Sequence, residues 1–392
     1  MQVIVTWPNW NVRADRCTMF SHIGEWANRV FLITNEPISD TLASRLHPNS
    51  EIIYVGQESR QLAFAFEAGK AADKILQLHS QSQEKFIFHE LIIPRLAPQI
   101  RLRKRLHEKR YRTVLSLYSP SRAFLRQRAW RPEREACLPW EQELTHWRVT
   151  LGRVLSELLS VRLVDAVTGN SEEICQDVVN SYHKPANKVH LLPTAVDTGY
   201  FSPCQDLVRD QNTILFLGRM YARKGIYDLI EATALLKSRG MESKLRMMGD
   251  NDIEADNIQQ AIRNHGLESD IEVLPRQPRD SVRQALQTAT LLVLPSYKEG
   301  TPRVVKEAMS CGCPVIASDL PGIRALNTTG DALTFVNPGE THSLANAMET
   351  LLTDQQMRQQ RGNLGRQIVE TQFSVQAVAK QTYQLYESIF LV

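Results

Sequence analysis

No C-x-x-C pair occurs among the six cysteines, Cys17, Cys137, Cys175, Cys204, Cys311 and Cys313, and no histidine cluster accompanies them. The usual zinc and thioredoxin-like spacings are therefore absent. Cys311 and Cys313 flank one glycine, too tight for an ordinary bridge, so reduced structural cysteines in a reducing compartment are expected. No stretch reaches the ~18 apolar residues that a spanning helix needs. No basic segment followed by a long apolar run precedes the strand-like Val3-Ile4-Val5, so no signal peptide is expected and the protein reads as cytoplasmic. Net charge is only +3, which says nothing general about acidic partners.

What is present is a chain able to fold. Hydrophobic residues make up 43% and charged residues 23%, enough for real cores and unlike a disordered chain. Its 392 residues suit two domains of about 170–200 residues better than one.

Short apolar runs alternate with helix-length amphipathic segments. In the second half the runs are Thr213–Phe216, Leu245–Met248, Ile271–Leu274, Leu291–Leu294 and Val315–Ser318. Each is followed by a glycine, proline or serine turn, the pattern of parallel strands with crossover helices. Unbroken apolarity in Leu291–Leu294 predicts a strand buried on both faces. In the first half, Val3–Thr6, Val30–Ile33, Ile52–Val55, Phe86–Phe88, Val114–Leu117 and Ala166–Thr168 read as strands, with a long basic helical region between the fourth and fifth. The segment Val196–Asp206 holds Pro203 and little periodicity, and is expected to link the domains. Phe373–Phe390 reads as one terminal helix able to pack back on the first domain. The fold class expected is α/β, with two doubly wound, Rossmann-like sheets.

The strongest motif runs from Tyr297 to Met309, directly after Leu291–Pro295. Thr301 suits an N-cap, Pro302 the first helical position and Gly312 a stop. The first-turn N–H groups of that helix then point into the crevice at the strand's C-terminal end, where open α/β sheets bind anions. Glu299 precedes the helix and Glu307 lies about two turns on, so the two carboxylates can hold different parts of one extended ligand. The stretch resembles the E-x7-E motif of glycosyltransferase family 4, as do the flanking Ala308–Gly312 and Pro314–Ile316.

A second motif, Phe216–Gly225, ends a strand at Gly218 and places Arg219, Arg223 and Lys224 before a helix. With the first motif, Arg219 and Lys224 resemble the family's pyrophosphate-binding pair. Arg grips phosphate oxygens bidentately and Lys supplies a compact charge. Met248-Gly249-Asp250 resembles the next strand-end glycine, and Leu274-Pro275-Arg276 falls where related enzymes hold the base. Val167–Ser171, Leu191–Asp197 and Phe201–Pro203 resemble late landmarks of the first domain, so the likeness covers most of the chain from about Ala166 onward.

That resemblance implies a GT-B fold. An acceptor-binding domain (1–203) faces a nucleotide-sugar domain (204–372) across a cleft, and a C-terminal helix (373–392) returns to the first. It implies a retaining transfer of sugar from a nucleotide diphosphate sugar to a hydroxyl acceptor, a glycan or lipid-linked saccharide. Arg219, Lys224 and Glu299 take the catalytic roles. Gly218, Gly249, Leu274, Arg276, Gly300, Thr301, Pro302 and Glu307 bind the donor, with Glu307 on the ribose and Glu299 on the sugar. The donor's own phosphate accepts the acceptor proton, and no cofactor is implied.

Three departures leave the acceptor side open. Thr194-Ala195 stands where the family often has Asn-Gly. Trp7–Asn11 replaces a glycine-rich loop. Val114–Leu117 ends in Tyr118-Ser119 rather than a histidine. His89, Tyr118, Asn9 and Trp10 are the acceptor-side candidates. Asp250-Asn251-Asp252 has the look of a D-x-D metal site, but a divalent cation needs a fitting fold around its carboxylates. A solvated loop is expected there and no metal is implied.

Charge is uneven along the chain. Arg95–Arg134 holds thirteen Lys/Arg against Glu108 and Glu133, and all six tryptophans lie in the first half. Basic residues interleaved with Trp and Leu suit an anionic membrane surface, giving a peripheral location on the inner face, or else a solvated helical face. No recognition motif supports nucleic acid. Two rivals stay open: a sugar-nucleotide epimerase or phosphorylase of the same fold, and a non-catalytic, membrane-associated nucleotide-sugar-binding protein.

Overall fold

The computed structural model describes residues 1–7, 14–55, 61–78, 84–91, 110–117, 154–204, 206–207, 209–251 and 254–391. They form two compact units, Met1–Ala195 with Val378–Val392, and Val196–Ala377.

The first unit is built on seven parallel strands: β1 (Gln2–Thr6), β2 (Arg29–Thr34), β3 (Ser50–Tyr54), β4 (Phe86–Leu91), β5 (Tyr111–Leu117), β6 (Ala166–Gly169) and β7 (Val189–Leu191). Their order is β3-β2-β1-β4-β5-β6-β7. Burial follows that order. The central β1 and β4 are buried along their whole length, whereas the edge strands β3 and β7 are half-exposed. Against Ile4, Phe31 and Ile33 packs the helix Gln61–Leu78 through Phe64, Ala68, Ala72 and Ile75. That spacing of four, four and three is one stripe of a helix. A second cluster joins Leu115, Leu117 and Val167 to Val178 and Tyr182 of the helix Glu172–Tyr182. Ser171 caps this helix by accepting from the Ile174 N–H, and His183 ends it in a left-handed conformation.

The second unit is built on six parallel strands: β8 (Thr213–Leu217), β9 (Lys244–Met248), β10 (Ile271–Leu274), β11 (Leu291–Leu294), β12 (Val315–Ser318) and β13 (Leu333–Val336). Their order is β10-β9-β8-β11-β12-β13, with one continuous core across both faces. All four residues of β11 are buried, as continuous hydrophobicity predicts. The strand order reverses between β8 and β11, so the loops after these strands leave the sheet side by side. That is the topological switch point at which doubly wound sheets bind ligands.

The division between units falls at Ala195, earlier than the expected boundary at 203, and the return falls at Val378, later than 373. Packing explains both. Val196 and Phe201 are buried in the second unit's core, and Val196 N–H donates to the Phe373 carbonyl at 2.9 Å. The outgoing and returning chain therefore run together before the terminal helix Val375–Ile389 begins. The end of that helix belongs to the first unit. Thr382 lies against Met19, and Phe390 lies beneath Lys85 and Arg112. The basic helical region expected between β4 and β5 lies outside the described residues. Among the described residues no helix is long and apolar enough to cross a membrane.

Candidate active site at the strand-order reversal

The loop after β8 starts at Gly218 and closes into a short 3-10 turn, Ala222–Lys224. Gly225 (φ +69°) then opens the helix Ile226–Ser238. A Cβ on Gly225 would sit 2.0 Å from the Pro295 carbonyl oxygen, so only glycine lets this loop lie against the end of β11. The neighbouring loop after β9 is equally tight. Gly249 (φ +152°) presses on Gly218, whose carbonyl oxygen would lie 1.8 Å from an added Cβ. Gly249 N–H donates to the Leu274 carbonyl at 3.1 Å and Gly218 N–H to the Met248 carbonyl at 3.0 Å. The ends of β8, β9 and β10 are thereby locked in register.

Lys224 reaches out of its turn to Glu299, Nζ to Oε1 2.5 Å, and Ser296 Oγ donates to the same oxygen at 2.8 Å. The two side chains are only 18% and 11% exposed, so solvent screens this pair far less than a surface ion pair. The β11 loop is fixed again by Arg223, whose carbonyl accepts from Tyr297 N–H (2.9 Å) and whose guanidinium donates to the Lys298 carbonyl (3.0 Å). Tyr297 donates to Asp228 at 3.1 Å. Burial pushes the Asp228 carboxyl above its ordinary range, and that hydrogen bond pulls back. Arg219 is exposed, and among the described residues its guanidinium makes no hydrogen bond or ion pair.

The helix after this loop spans Arg303–Ser310. It starts one residue later than expected. Pro302 (φ −67°, ψ 123°) occupies the cap, and Thr301 lies outside it. Both positions accept proline's φ; the extended ψ puts Pro302 outside the helix. Glu307 is largely buried and lies 3.5 Å from Arg303 one turn earlier. Gly300 comes before the cap, and an added Cβ there would meet nothing within 4 Å. At the far end, Gly312 (φ +65°) stops the helix as expected. Two guanidiniums take up its last carbonyls: Arg209 donates to Cys311 O at 2.8 Å and Arg366 to Ser310 O at 2.7 Å. Cations at this end complement the helix dipole, whose positive pole lies at the first turn.

The structure thus gathers Gly218, Lys224, Gly249, Leu274, Glu299, Gly300, Thr301, Pro302 and Glu307 at the C-terminal ends of β8–β11. Arg219 stands at the rim, and Arg276 is exposed just after β10. Ser296, Arg209 and Arg366 were not anticipated, and Arg223 stood out only as a cation before the helix. The arginines act through neighbours distant in sequence, and a lone serine three residues from Glu299 carries no spacing signal.

On the first-domain side, Asn9, Trp10 and Tyr118 lie outside the described residues, as does Asp252 of the D-x-D-like stretch. His89 is 1% exposed in β4. Its Nδ1 meets the Tyr386 hydroxyl at 2.5 Å, and its Nε2 meets Ser116 Oγ at 2.7 Å, which continues to Thr168 Oγ1 at 2.6 Å. Both ring nitrogens are engaged inside the unit. Burial lowers its pKa to about 3, so the ring is neutral at physiological pH. His89 is a core histidine joining the sheet to the terminal helix, and it offers no free nitrogen to an acceptor. Among the described residues no group of three His, Cys, Asp or Glu could hold a metal.

Residues 204–368 match the family model of glycosyl transferases group 1. The likeness to that family is confined to this segment. Over 251 residues the chain is 26% identical to the D-inositol 3-phosphate glycosyltransferase of Corynebacterium glutamicum, 60% of each protein. Over 246 residues it is 28% identical to the alpha-D-kanosaminyltransferase of Streptomyces kanamyceticus, 60% of this chain and 64% of that protein. The matches therefore span less than two thirds of these relatives. Among solved structures, sucrose-phosphate synthase of Thermosynechococcus elongatus superposes with TM-score 0.70 at 19% identity, covering 100% of this chain and 99% of that one. HepE of Anabaena, solved with UDP and glucose, gives 0.66 at 18%, covering 99% and 100%. These likenesses establish the GT-B fold of the whole chain. The positions gathered at the ends of β8–β11 all lie within the matched segment.

Proposed function

We propose that the protein transfers a sugar from a nucleoside diphosphate sugar to a hydroxyl acceptor with retained anomeric configuration, as family 4 enzymes do. The observation that carries this is the buried Lys224–Glu299 pair at the switch point, beside a helix whose first turn can receive an anion. Glu299 holds the sugar hydroxyls beside the reacting carbon, and Glu307 holds the ribose. As the glycosidic bond breaks, negative charge grows on the departing diphosphate. Arg219, Lys224 and the first-turn N–H groups stabilise that charge more in the transition state than in the ground state, which is what accelerates the step. No protein base is assigned; the leaving phosphate takes the acceptor proton. Neither metal nor cofactor takes part.

Two comparisons support the donor class. Group 1 relatives are named for glycosyl transfer, and HepE was solved with UDP-glucose. For the acceptor we favour a glycan or lipid-linked saccharide, reached from the inner membrane face through the basic segment Arg95–Arg134. Most of that segment lies outside the described residues. Within it, Arg112 is engaged by the Ile389 carbonyl and the Phe390 ring.

A thermal-shift panel of nucleotide sugars tests the donor site, since a ligand that binds only the folded state raises its melting temperature. The reading predicts one or a few nucleoside diphosphate sugars that shift it. No shift with any of them at millimolar concentration overturns it. A donor isomerised without acceptor would instead identify an epimerase.

A further inference from the structure

We infer that Glu254 is a positioning residue of the donor site, whose carboxylate clamps both ends of the turn that carries Lys224. This rests on the function proposed above. Glu254 precedes the helix Ala255–Asn264 but does not cap it with its side chain. It reaches across to the loop after β8 instead. Oε1 accepts from the Ala222 N–H at 2.9 Å, and Oε2 accepts from the Tyr227 hydroxyl at 2.5 Å. Ala222 is the first residue of the 3-10 turn, and Tyr227 stands in the first turn of the helix Ile226–Ser238. Lys224 lies between them. One carboxylate thus brackets the residue whose ammonium meets Glu299.

The bracket is part of a longer seam. Met220 N–H donates to the Asp250 carbonyl at 2.8 Å, and Gly249 presses on Gly218. The β8 loop is therefore tied along its length to the β9 loop. Backbone does this at the near end, and the Glu254 side chain does it at the far end. A turn closed by a few local hydrogen bonds, with exposed Ala222 and Arg223, has little packing to hold it. The clamp supplies what packing does not. Its charge is not what the clamp needs, because both contacts are hydrogen bonds that a neutral amide can also make.

Glu254→Ala and Glu254→Gln separate the two effects. Glutamine removes the charge but keeps an oxygen for Ala222 N–H and an amide for the Tyr227 oxygen. Glu254→Ala is expected to lower kcat by about 10- to 100-fold, the effect of a misplacement of roughly 1 Å. The donor KM should move by no more than about threefold, since Glu307 and the helix still bind the ground state. Amide exchange at Ala222 should accelerate. Glu254→Gln should restore kcat and slow exchange together. A parental kcat in Glu254→Ala, or equal losses in both variants, overturns the clamp. Should the parent turn over no sugar nucleotide, the exchange arm still decides. Faster Ala222 exchange in Glu254→Ala alone upholds the clamp while the transferase reading falls, and unchanged exchange removes the clamp itself.

Discussion

Lys224 Nζ lies 2.5 Å from Glu299 Oε1, across the point where the strand order of the second unit reverses. The two residues are 75 positions apart. They meet because β8 and β11 are neighbours and both loops leave at the same end. The pair sets the ammonium beside the mouth of the helix Arg303–Ser310. Breaking it would leave one charge with little water around it, which is costly.

From this geometry, Arg219→Ala and Lys224→Ala should each lower kcat more than they raise the donor KM. Their charge counts most once the diphosphate has begun to leave. Steady-state kinetics with varied donor will show it. Parental kcat in both variants would make them ordinary loop charges.

Glu307→Ala should act differently. Loss of charge-assisted hydrogen bonds to the ribose weakens donor affinity by about 1.5–3 kcal/mol. Titration calorimetry with the nucleoside diphosphate alone reads this without turnover. Unchanged affinity would remove the ribose role.

Gly249→Ala probes the seam beneath the loops. Its Cβ would stand 1.8 Å from the Gly218 carbonyl oxygen, at a backbone φ of +152° that side chains rarely adopt. The second unit should lose on the order of 1–3 kcal/mol from backbone strain alone, and donor binding should fall with it. A variant with parental melting temperature and affinity would show that the β8 and β9 ends are not locked as described.

The buried His89 predicts a pH dependence in the first unit. Its folded pKa is held near 3, below the ordinary 6.5, because burial disfavours the charged ring. The unfolded chain therefore binds the extra proton between those values. The associated stability is complete above 6.5 and is lost as pH falls toward 3. Between pH 7 and 5 this amounts to about 2 kcal/mol. Denaturant unfolding at both pH values should show that loss in the parent and a smaller one in His89→Gln. Equal losses would exonerate the ring.

How far the sequence could be read depended on where the determinants lie. Leu291–Leu294 is an unbroken apolar run and Val315–Ser318 is one closed by a serine; both strands lie inside the sheet and begin and end where the pattern does. Val189–Leu191 and Leu333–Val336 are edge strands of three and four residues, holding His190 and Thr334. Half-exposed edges need no apolar alternation, so they escape notice. The donor site was legible because its helix, cap and two glutamates are consecutive. Glu254, Arg209 and Arg366 were not, because their partners depend on strand order, which spacing does not encode. His89 drew attention as a histidine in a strand, and only its burial beside Tyr386 shows its role.

The most direct test of the central claim is proton NMR of the anomeric signal during turnover with a donor from the thermal-shift panel, an acceptor extract and a chelator. The expected outcome is a new glycoside that keeps the donor's anomeric configuration, forms at an undiminished rate with the chelator present, and disappears in Glu299→Ala. An inverted product, a reaction that needs a divalent metal, or transfer that survives Glu299→Ala would contradict it.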